Sequence, residues 1–309
     1  MAPKIFIDGE HGTTGLQIAQ RLSGRGDIEL LTIAHEDRRD MDVRADLLKA
    51  ADIAILCLPD DGAREAVELA KGSQTRFIDA STAHRTADDW VFGFAELEPG
   101  HAARIAAADK VSNPGCYSTG AIALLRPLTS AGVLPADYPV TINAISGYSG
   151  GGKALIARFE DENDPNPVTA PAYLYALALA HKHVPEIQRH GQLTRRPLFT
   201  PNVGRYRQGM TVQVPLHLDL LGGTPDVADL HAALEAHYAG QDVVQVVPLE
   251  VSAGLEMVEP MELNDTNTMK LHVFGKPGGG QANLVAVLDN LGKGASGACV
   301  QCMDLMIGA

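Results

Sequence analysis

A chain of 309 residues, 45% apolar and 20% charged, has the length of two domains and the composition of a globular enzyme whose core needs no disulfide or metal staple. Its net charge of −13 argues against the basic stripe that nucleic acid requires, yet leaves room for a few arginines around a small anion. No apolar run approaches the roughly 20 residues of a membrane span, no secretory leader opens the sequence, and four cysteines (Cys57, Cys116, Cys299, Cys302) are too few for a disulfide scaffold, so a cytoplasmic protein is expected.

The first 115 residues alternate strand and helix signals. Lys4–Asp8 is a short apolar strand, a glycine-rich turn follows, and Thr14–Leu22 has helical spacing. Ile28–Ala34 and Asp52–Pro59 are further strands, the second the clearest buried one in the chain. Asp60–Ala70 is a helix with an acidic start, and Arg76–Ser81 a fourth strand. Continuous apolar strands between helices predict a parallel sheet covered on both faces, a doubly wound α/β domain. After residue 116 the pattern changes. A helix, Cys116–Ala131, leads into longer strand-like runs at Val140–Ser146, Gly209–Leu218, Asp242–Pro248, Thr268–Phe274 and Asn283–Leu288, which predict an antiparallel or mixed sheet. Glu160–Pro171, polar with three prolines, reads as a surface loop, and Ala295–Met306 as a closing helix.

Six segments carry chemistry. Gly9, Gly12 and Gly15, interleaved with His11, Thr13 and Thr14, stand between the first strand and the first helix. Glycines let the backbone approach a pyrophosphate, and the helix start supplies unpaired N–H groups. At the end of the second strand Arg38 and Arg39 match a ribose 2′-phosphate, so NADP is favoured over NAD, although Glu36 and Asp37 beside them also suit a solvated charged loop. Ser81, Thr82 and Arg85 follow the fourth strand and suit either an anion or a helix cap. The Ser146–Lys153 loop, with Ser149 and Gly150, suits either a cofactor contact or a mobile loop. Cys116 opens an apolar helix just after the turn Asn113-Pro114-Gly115; the helix start favours thiolate, and its first amides can stabilise an oxyanion. His181 and His183 offer a proton donor and acceptor near neutral pH. Cys57 reads as packing, and Cys299 and Cys302 as one buried helix face rather than a zinc or redox pair, so no metal site is expected.

Taken in order, Gly9–Gly15, Asp79–Arg85, the box from Asn113 to Gly120, Ser146–Lys153, His181 to Glu186 and Asp289–Gly297 resemble the N-acetyl-γ-glutamyl-phosphate reductase family, in its shorter form, over nearly the whole chain. The resemblance implies a Rossmann-type NADP-binding domain over residues 1–115, completed by a C-terminal helix over 290–309. It implies a glyceraldehyde-3-phosphate-dehydrogenase-like α+β catalytic and oligomerisation domain over 116–289 in a homo-oligomer, dimer or tetramer. It also implies NADPH-dependent reduction of a small anionic acyl phosphate through a Cys116 thioester, with Ser81, Thr82, Arg85 and Asn113 at the substrate and one histidine of the pair, His183 preferred over His181, as acid/base. The one-residue spacer is expected to turn the two rings to different sides of the backbone. The one departure is Cys302, where the family leads one to expect a more polar residue, often asparagine. Two alternatives stay open: another acyl-phosphate reductase of the same architecture, acting on aspartyl or aminoadipyl phosphate, and a non-enzymatic NADP sensor, which has no use for an exposed thiolate.

Overall fold

The computed structural model describes residues 2–309. They form two compact units, one from the residues up to Ala95 with Gly100–Gly115 and Ala295–Ala309, the other from Glu96–Pro99 and Cys116–Gly294. Residues 290–294, expected with the first domain, pack instead in the second unit, where Lys293 is ion-paired to Glu96. No helix among the described residues is long and apolar enough to cross a membrane.

In the first unit β1 (Lys4–Asp8), α1 (Thr13–Leu22), β2 (Glu29–Leu31), α2 (Met41–Ala50), β3 (Ile53–Leu56), α3 (Asp60–Leu69), β4 (Arg76–Asp79), β5 (Val91–Phe92), α4 (His101–Ala107) and β6 (Lys110–Ser112) follow one another. All strand pairs are parallel, in the order β2-β1-β3-β4-β6-β5. Two apolar layers cover the sheet. Ile5, Ile7, Ile55 and Ile78 face Ile18, Ile105 and the C-terminal helix Gly297–Ile307, while Phe6, Ala54, Leu56 and Phe77 face Leu48, Ala63, Ala66 and Trp90. The chain leaves β1 for β2 on one side and returns to β3 on the other, and the carboxyl ends of β1 and β3 are where such sheets hold ligands.

β2 is shorter than the apolar run Ile28–Ala34, because it is an edge strand paired only with Lys4–Phe6 of β1. α2 carried a legible signal that periodicity alone missed: Asp40 caps it, accepting from the N–H of Asp42 at 2.9 Å and of Val43 at 3.2 Å. Cys299 and Cys302 lie in the core of this unit. The Cys302 thiol donates to the Gly93 carbonyl at 3.3 Å, and a Cβ at Gly93 would stand 3.1 Å from that sulfur, so the cysteine helps to hold position 93 to glycine.

The second unit comprises α5 (Cys116–Ser130), β7 (Thr141–Gly147), α6 (Gly152–Glu160), β8 (Ala172–Leu174), α7 (Val184–His190), β9 (Leu198–Gly204), β10 (Met210–His217), α8 (Val227–Tyr238), β11 (Val244–Val246), α9 (Leu249–Ala253), β12 (Met269–Phe274) and β13 (Gln281–Leu288). Seven strands form one mixed sheet in the order β11-β12-β13-β10-β7-β9-β8. β7 and β9 run parallel, as do β11 and β12, and the other pairs are antiparallel. The run Asp242–Pro248 yields only three strand residues, again at a sheet edge. α5 lies on β10 and β13 at close range: a Cβ at Gly120 would come 2.8 Å from a Val212 methyl. α8, unread in the sequence, starts with a reciprocal Asp226–Asp229 capping box and is tied to α5 by the Tyr238 hydroxyl, which donates to the Ala123 carbonyl at 2.8 Å.

Arg44 of α2 closes the first unit around the end of β1. Its Nη2 donates to Asp8 Oδ2 at 2.8 Å, both side chains being under 10% exposed, and its Nη1 reaches Glu65 of α3 at 3.1 Å. Removing one partner of a buried pair costs about 3–5 kcal/mol. Arg44→Ala is therefore expected to lower the urea-unfolding free energy by about 3 kcal/mol, and Glu65→Ala, at the exposed carboxylate, by under about 1 kcal/mol.

Candidate active site

The turn after β1 holds two glycines that have no substitute. Gly9 has φ +90°, and a Cβ there would lie 2.4 Å from the Cys57 carbonyl oxygen; a Cβ on Gly15 would lie 2.5 Å from the Gly9 carbonyl. Gly12 is looser, its nearest neighbour 3.4 Å away. α1 then starts with no side-chain cap, and Thr13 Oγ1 is buried with no hydrogen-bond partner among the described residues. An uncapped helix start beside an orphan hydroxyl donor is a fitting seat for a pyrophosphate oxygen. Thr14 is half-buried in the same turn. His11 stacks on His35 with centroids 5.1 Å apart, and Arg38 donates to His35 Nε2. Arg38 and Arg39, exposed in one 3₁₀ turn beside these rings, give the loop the donors a 2′-phosphate needs.

After β4 the polar groups are largely committed. Asp79, fully buried, accepts from Ser81 N and Ser81 Oγ at 2.8 Å each and contacts His84 Nδ1 at 2.7 Å; His84 stacks on Trp90 at 4.0 Å. The Thr82 hydroxyl donates to the carboxylate of Asp60, the first residue of α3. Arg85 is buried and donates to the Ala80 carbonyl at 3.2 Å. Asn113 Nδ2 donates to the Ala295 carbonyl at 3.1 Å, which leaves its buried Oδ1 as the unmatched end. That oxygen is an acceptor, so it suits an N–H donor and not a phosphate.

In the second unit Cys116 is the first residue of α5 and half-buried, while the next nine residues of the helix are fully buried. A thiol in that position gains from the helix N-terminal field when it ionises. Tyr117, beside it, donates to the Asn202 carbonyl at 2.9 Å. Burial pushes the hydroxyls of Tyr117 and Tyr175 well above the usual tyrosine range, so both keep their protons. Ser149 is buried here and accepts from Asn290 Nδ2 at 3.0 Å, and a Cβ on the neighbouring Gly150 would lie 3.4 Å from Ser146 Oγ.

The two histidines do not diverge. Both rings lie 5.9 Å from Tyr117 and 4.6 Å from each other. The segment is a turn and not a strand: His183 is the N-cap of α7, with φ −82° and ψ −13°, so period-two alternation does not apply. The His183 backbone N–H donates to His181 Nδ1 at 3.1 Å, which places the proton of a neutral His181 on Nε2, facing the Tyr175 hydroxyl at 3.2 Å. His181 is half-buried; His183 is buried, with Nε2 4.0 Å from the buried Glu186 carboxylate. Sequence reasoning singled out neither Tyr175, nor Asp60, nor the contact of Gly294 with Cys116, because each depends on a fold-back that no local pattern encodes.

Residues 4–105 match the NAD binding domain of semialdehyde dehydrogenase, and residues 116–290 its dimerisation domain. The chain belongs to the semialdehyde dehydrogenase family. It is 63% identical, over the full length of both chains, to proteins named N-acetyl-gamma-glutamyl-phosphate reductase from Brucella ovis and Brucella canis. Two solved structures share the fold: aspartate semialdehyde dehydrogenase II from Vibrio cholerae (TM-score 0.74, 17% identity, 100% of this chain and 99% of that one) and aspartate semialdehyde dehydrogenase with NADP from Candida albicans (TM-score 0.68, 13% identity, 99% of each).

The cysteines differ sharply in environment, and iodoacetamide reads the difference. Burial, with the charges of Asp79 and Asp8, pushes the Cys57 thiol up to about 12, and burial holds Cys299 well above the ordinary range. A raised pKa leaves a thiol protonated, hence inert, at pH 8. Peptide mass spectrometry at pH 8 is expected to find Cys116 alkylated first and Cys57 and Cys299 unmodified; equal labelling of Cys57 and Cys116 contradicts the assignment.

Proposed function

We propose that the protein reduces N-acetyl-γ-glutamyl phosphate with NADPH to N-acetylglutamate 5-semialdehyde and inorganic phosphate, a step of arginine biosynthesis, as a cytoplasmic homo-oligomer. The full-length identity to reductases of that name and the match to a dimerisation domain support the substrate and the assembly. The observation that carries the chemistry is a half-buried cysteine at the first position of a helix whose next nine residues are buried.

Cys116 sulfur, as thiolate, attacks the acyl carbonyl carbon; the carbon–oxygen bond to phosphate breaks and phosphate leaves with the bonding pair. NADPH, when bound, supplies the hydride that reduces the resulting thioester carbon. An imidazole of the pair gives a proton to the oxyanion and takes it back as the carbon–sulfur bond breaks, returning the thiolate and releasing the aldehyde. His181 is the stronger choice: it is the less buried ring, whereas His183 is buried against Glu186. The turn Gly9–Gly15 with Thr13 and Thr14 holds the pyrophosphate, and His11, Arg38 and Arg39 the 2′-phosphate end. Arg85 remains the anion-binding candidate after β4, with Ser81 and Thr82 shaping its loop through Asp79 and Asp60.

Three measurements test this. In the reverse direction, N-acetylglutamate semialdehyde, phosphate and NADP⁺ are expected to give NADPH, and aspartate semialdehyde much less; the opposite preference moves the protein to another acyl-phosphate reductase. Replacing Arg38 and Arg39 by alanine is expected to raise the KM for NADPH about tenfold or more with little change for NADH, since about 1.4 kcal/mol of charge-assisted bonding is lost; an unchanged ratio sinks the assignment of this loop. His181→Asn is expected to lower kcat by on the order of 10²–10⁴ with His183→Asn milder, read as kcat against pH; two variants with wild-type profiles place the acid/base elsewhere.

A further inference from the structure

We infer that the turn Asp289–Gly294 is the element that positions Cys116, with Gly294 as its point of contact; the inference rests on the reading of Cys116 as the nucleophile. A Cβ added to Gly294 would lie 2.8 Å from Cys116 Cβ and 3.2 Å from Cys116 Cα. The backbone of residue 294 is thus a wall against the root of the reactive side chain, and it bears on Cys116 at atoms that no rotamer change can move aside.

A wall is useful only if it is fixed, and this turn is held at almost every residue. Asp289, fully buried, accepts from Leu291 N at 2.9 Å through Oδ1, and through Oδ2 from Asp265 N at 2.9 Å and Gln208 Nε2 at 2.7 Å. Its carbonyl accepts from Gly294 N at 2.9 Å. Asn290 Oδ1 accepts from Gly209 N at 2.7 Å, and Asn290 Nδ2 donates to Ser149 Oγ. Gly292 presses so closely on Thr266 that a Cβ would stand 2.0 Å from its carbonyl oxygen. Lys293 donates to Glu96 Oε2 at 2.7 Å, with side-chain exposures of 0% and 2%.

A wholly buried ion pair is costly to form and costlier to break, and its best-attested use is to select one arrangement among several. Each buried polar group here would lose its partner if the backbone took another path, so the network selects a single path. That path widens into a π-helical turn over Gly292–Ser296, which sets residue 294 against α5. A sulfur displaced by about 1 Å from its line of attack loses on the order of 10² in rate. Gly294 and the Lys293–Glu96 pair are therefore positioning residues, acting through Cys116.

The test is Gly294→Ala beside the wild type, with Cys116→Ser as the blank. Four quantities are read: kcat and the KM for NADP⁺ in the reverse reaction, the rate of Cys116 alkylation by iodoacetamide from pH 6 to 10, and the thermal unfolding midpoint. The added methyl is expected to lower kcat by about tenfold or more, to leave the KM for NADP⁺ within about twofold, and to displace the alkylation profile of Cys116. A loss of rate in step with a lost unfolding transition is separated from positioning by the double variant Glu96→Gln, Lys293→Met. It removes both charges together and so leaves neither stranded, and it is expected to unfold cooperatively with kcat again lowered and the alkylation profile again moved. A folded Gly294→Ala, or a folded double variant, with wild-type kcat and a wild-type alkylation profile overturns the inference. Alkylation needs no substrate, so the positioning test stands even if the wild type fails to turn over N-acetylglutamate semialdehyde; that failure would count against the proposed substrate alone.

Discussion

A thiol attacks a carbonyl at neutral pH only as thiolate, and a thiolate must be stabilised without being neutralised by a tight partner. The first residue of a helix meets both demands, because the field of the peptide dipoles favours the charge while the sulfur stays reachable. In this protein the residue in that position is Cys116, the proposed nucleophile, and much of the second unit holds its helix still. α5 approaches the sheet closely enough to require glycine at position 120, is tied to α8 through Tyr238, and meets the buried turn Asp289–Gly294 at its first residue. The two histidine rings gather on Tyr117, one residue along.

The chemistry of the first unit follows from a different constraint, the approach of backbone to an anion. Gly9 and Gly15 are demanded by contacts within the protein itself, at 2.4 and 2.5 Å for a hypothetical Cβ, and the tight turn they permit is what leaves the start of α1 uncapped and the Thr13 hydroxyl unsatisfied. Strand, turn and helix thus create a deficit of hydrogen-bond acceptors of the kind that a pyrophosphate would make good.

The features legible in the sequence are those whose cause is local. Glycine spacing between a strand and a helix, a cysteine at a helix start and continuous apolar runs announce the doubly wound sheet and the placing of Cys116 at the head of a helix without any knowledge of tertiary contacts. The edges of the sheets were less legible: Ile28–Ala34 and Asp242–Pro248 have strand composition, but edge strands stop where their single neighbour stops. Two helices hid behind weak periodicity although their aspartate caps, Asp40 and Asp226, were in plain sight. What could not be read were partnerships across the chain. Lys293 and Glu96 are 197 residues apart, Arg44 and Asp8 36, and neither pair leaves a mark in its own neighbourhood. The histidine pair shows the remaining kind of error: a strand-like alternation separates the two rings on paper, where the backbone instead makes the turn into α7 and brings them together.

The central claim is that the acyl group passes through Cys116 as a thioester, and the most direct test stops the reaction there. Incubation with N-acetyl-γ-glutamyl phosphate in the absence of NADPH, followed by acid quench and mass spectrometry of intact and digested protein, is expected to show one N-acetylglutamyl group on the peptide that carries Cys116, with release of one phosphate, and loss of that adduct as semialdehyde when NADPH is added. Phosphate release without any adduct on Cys116, or reduction at the normal rate by Cys116→Ser, would contradict the account.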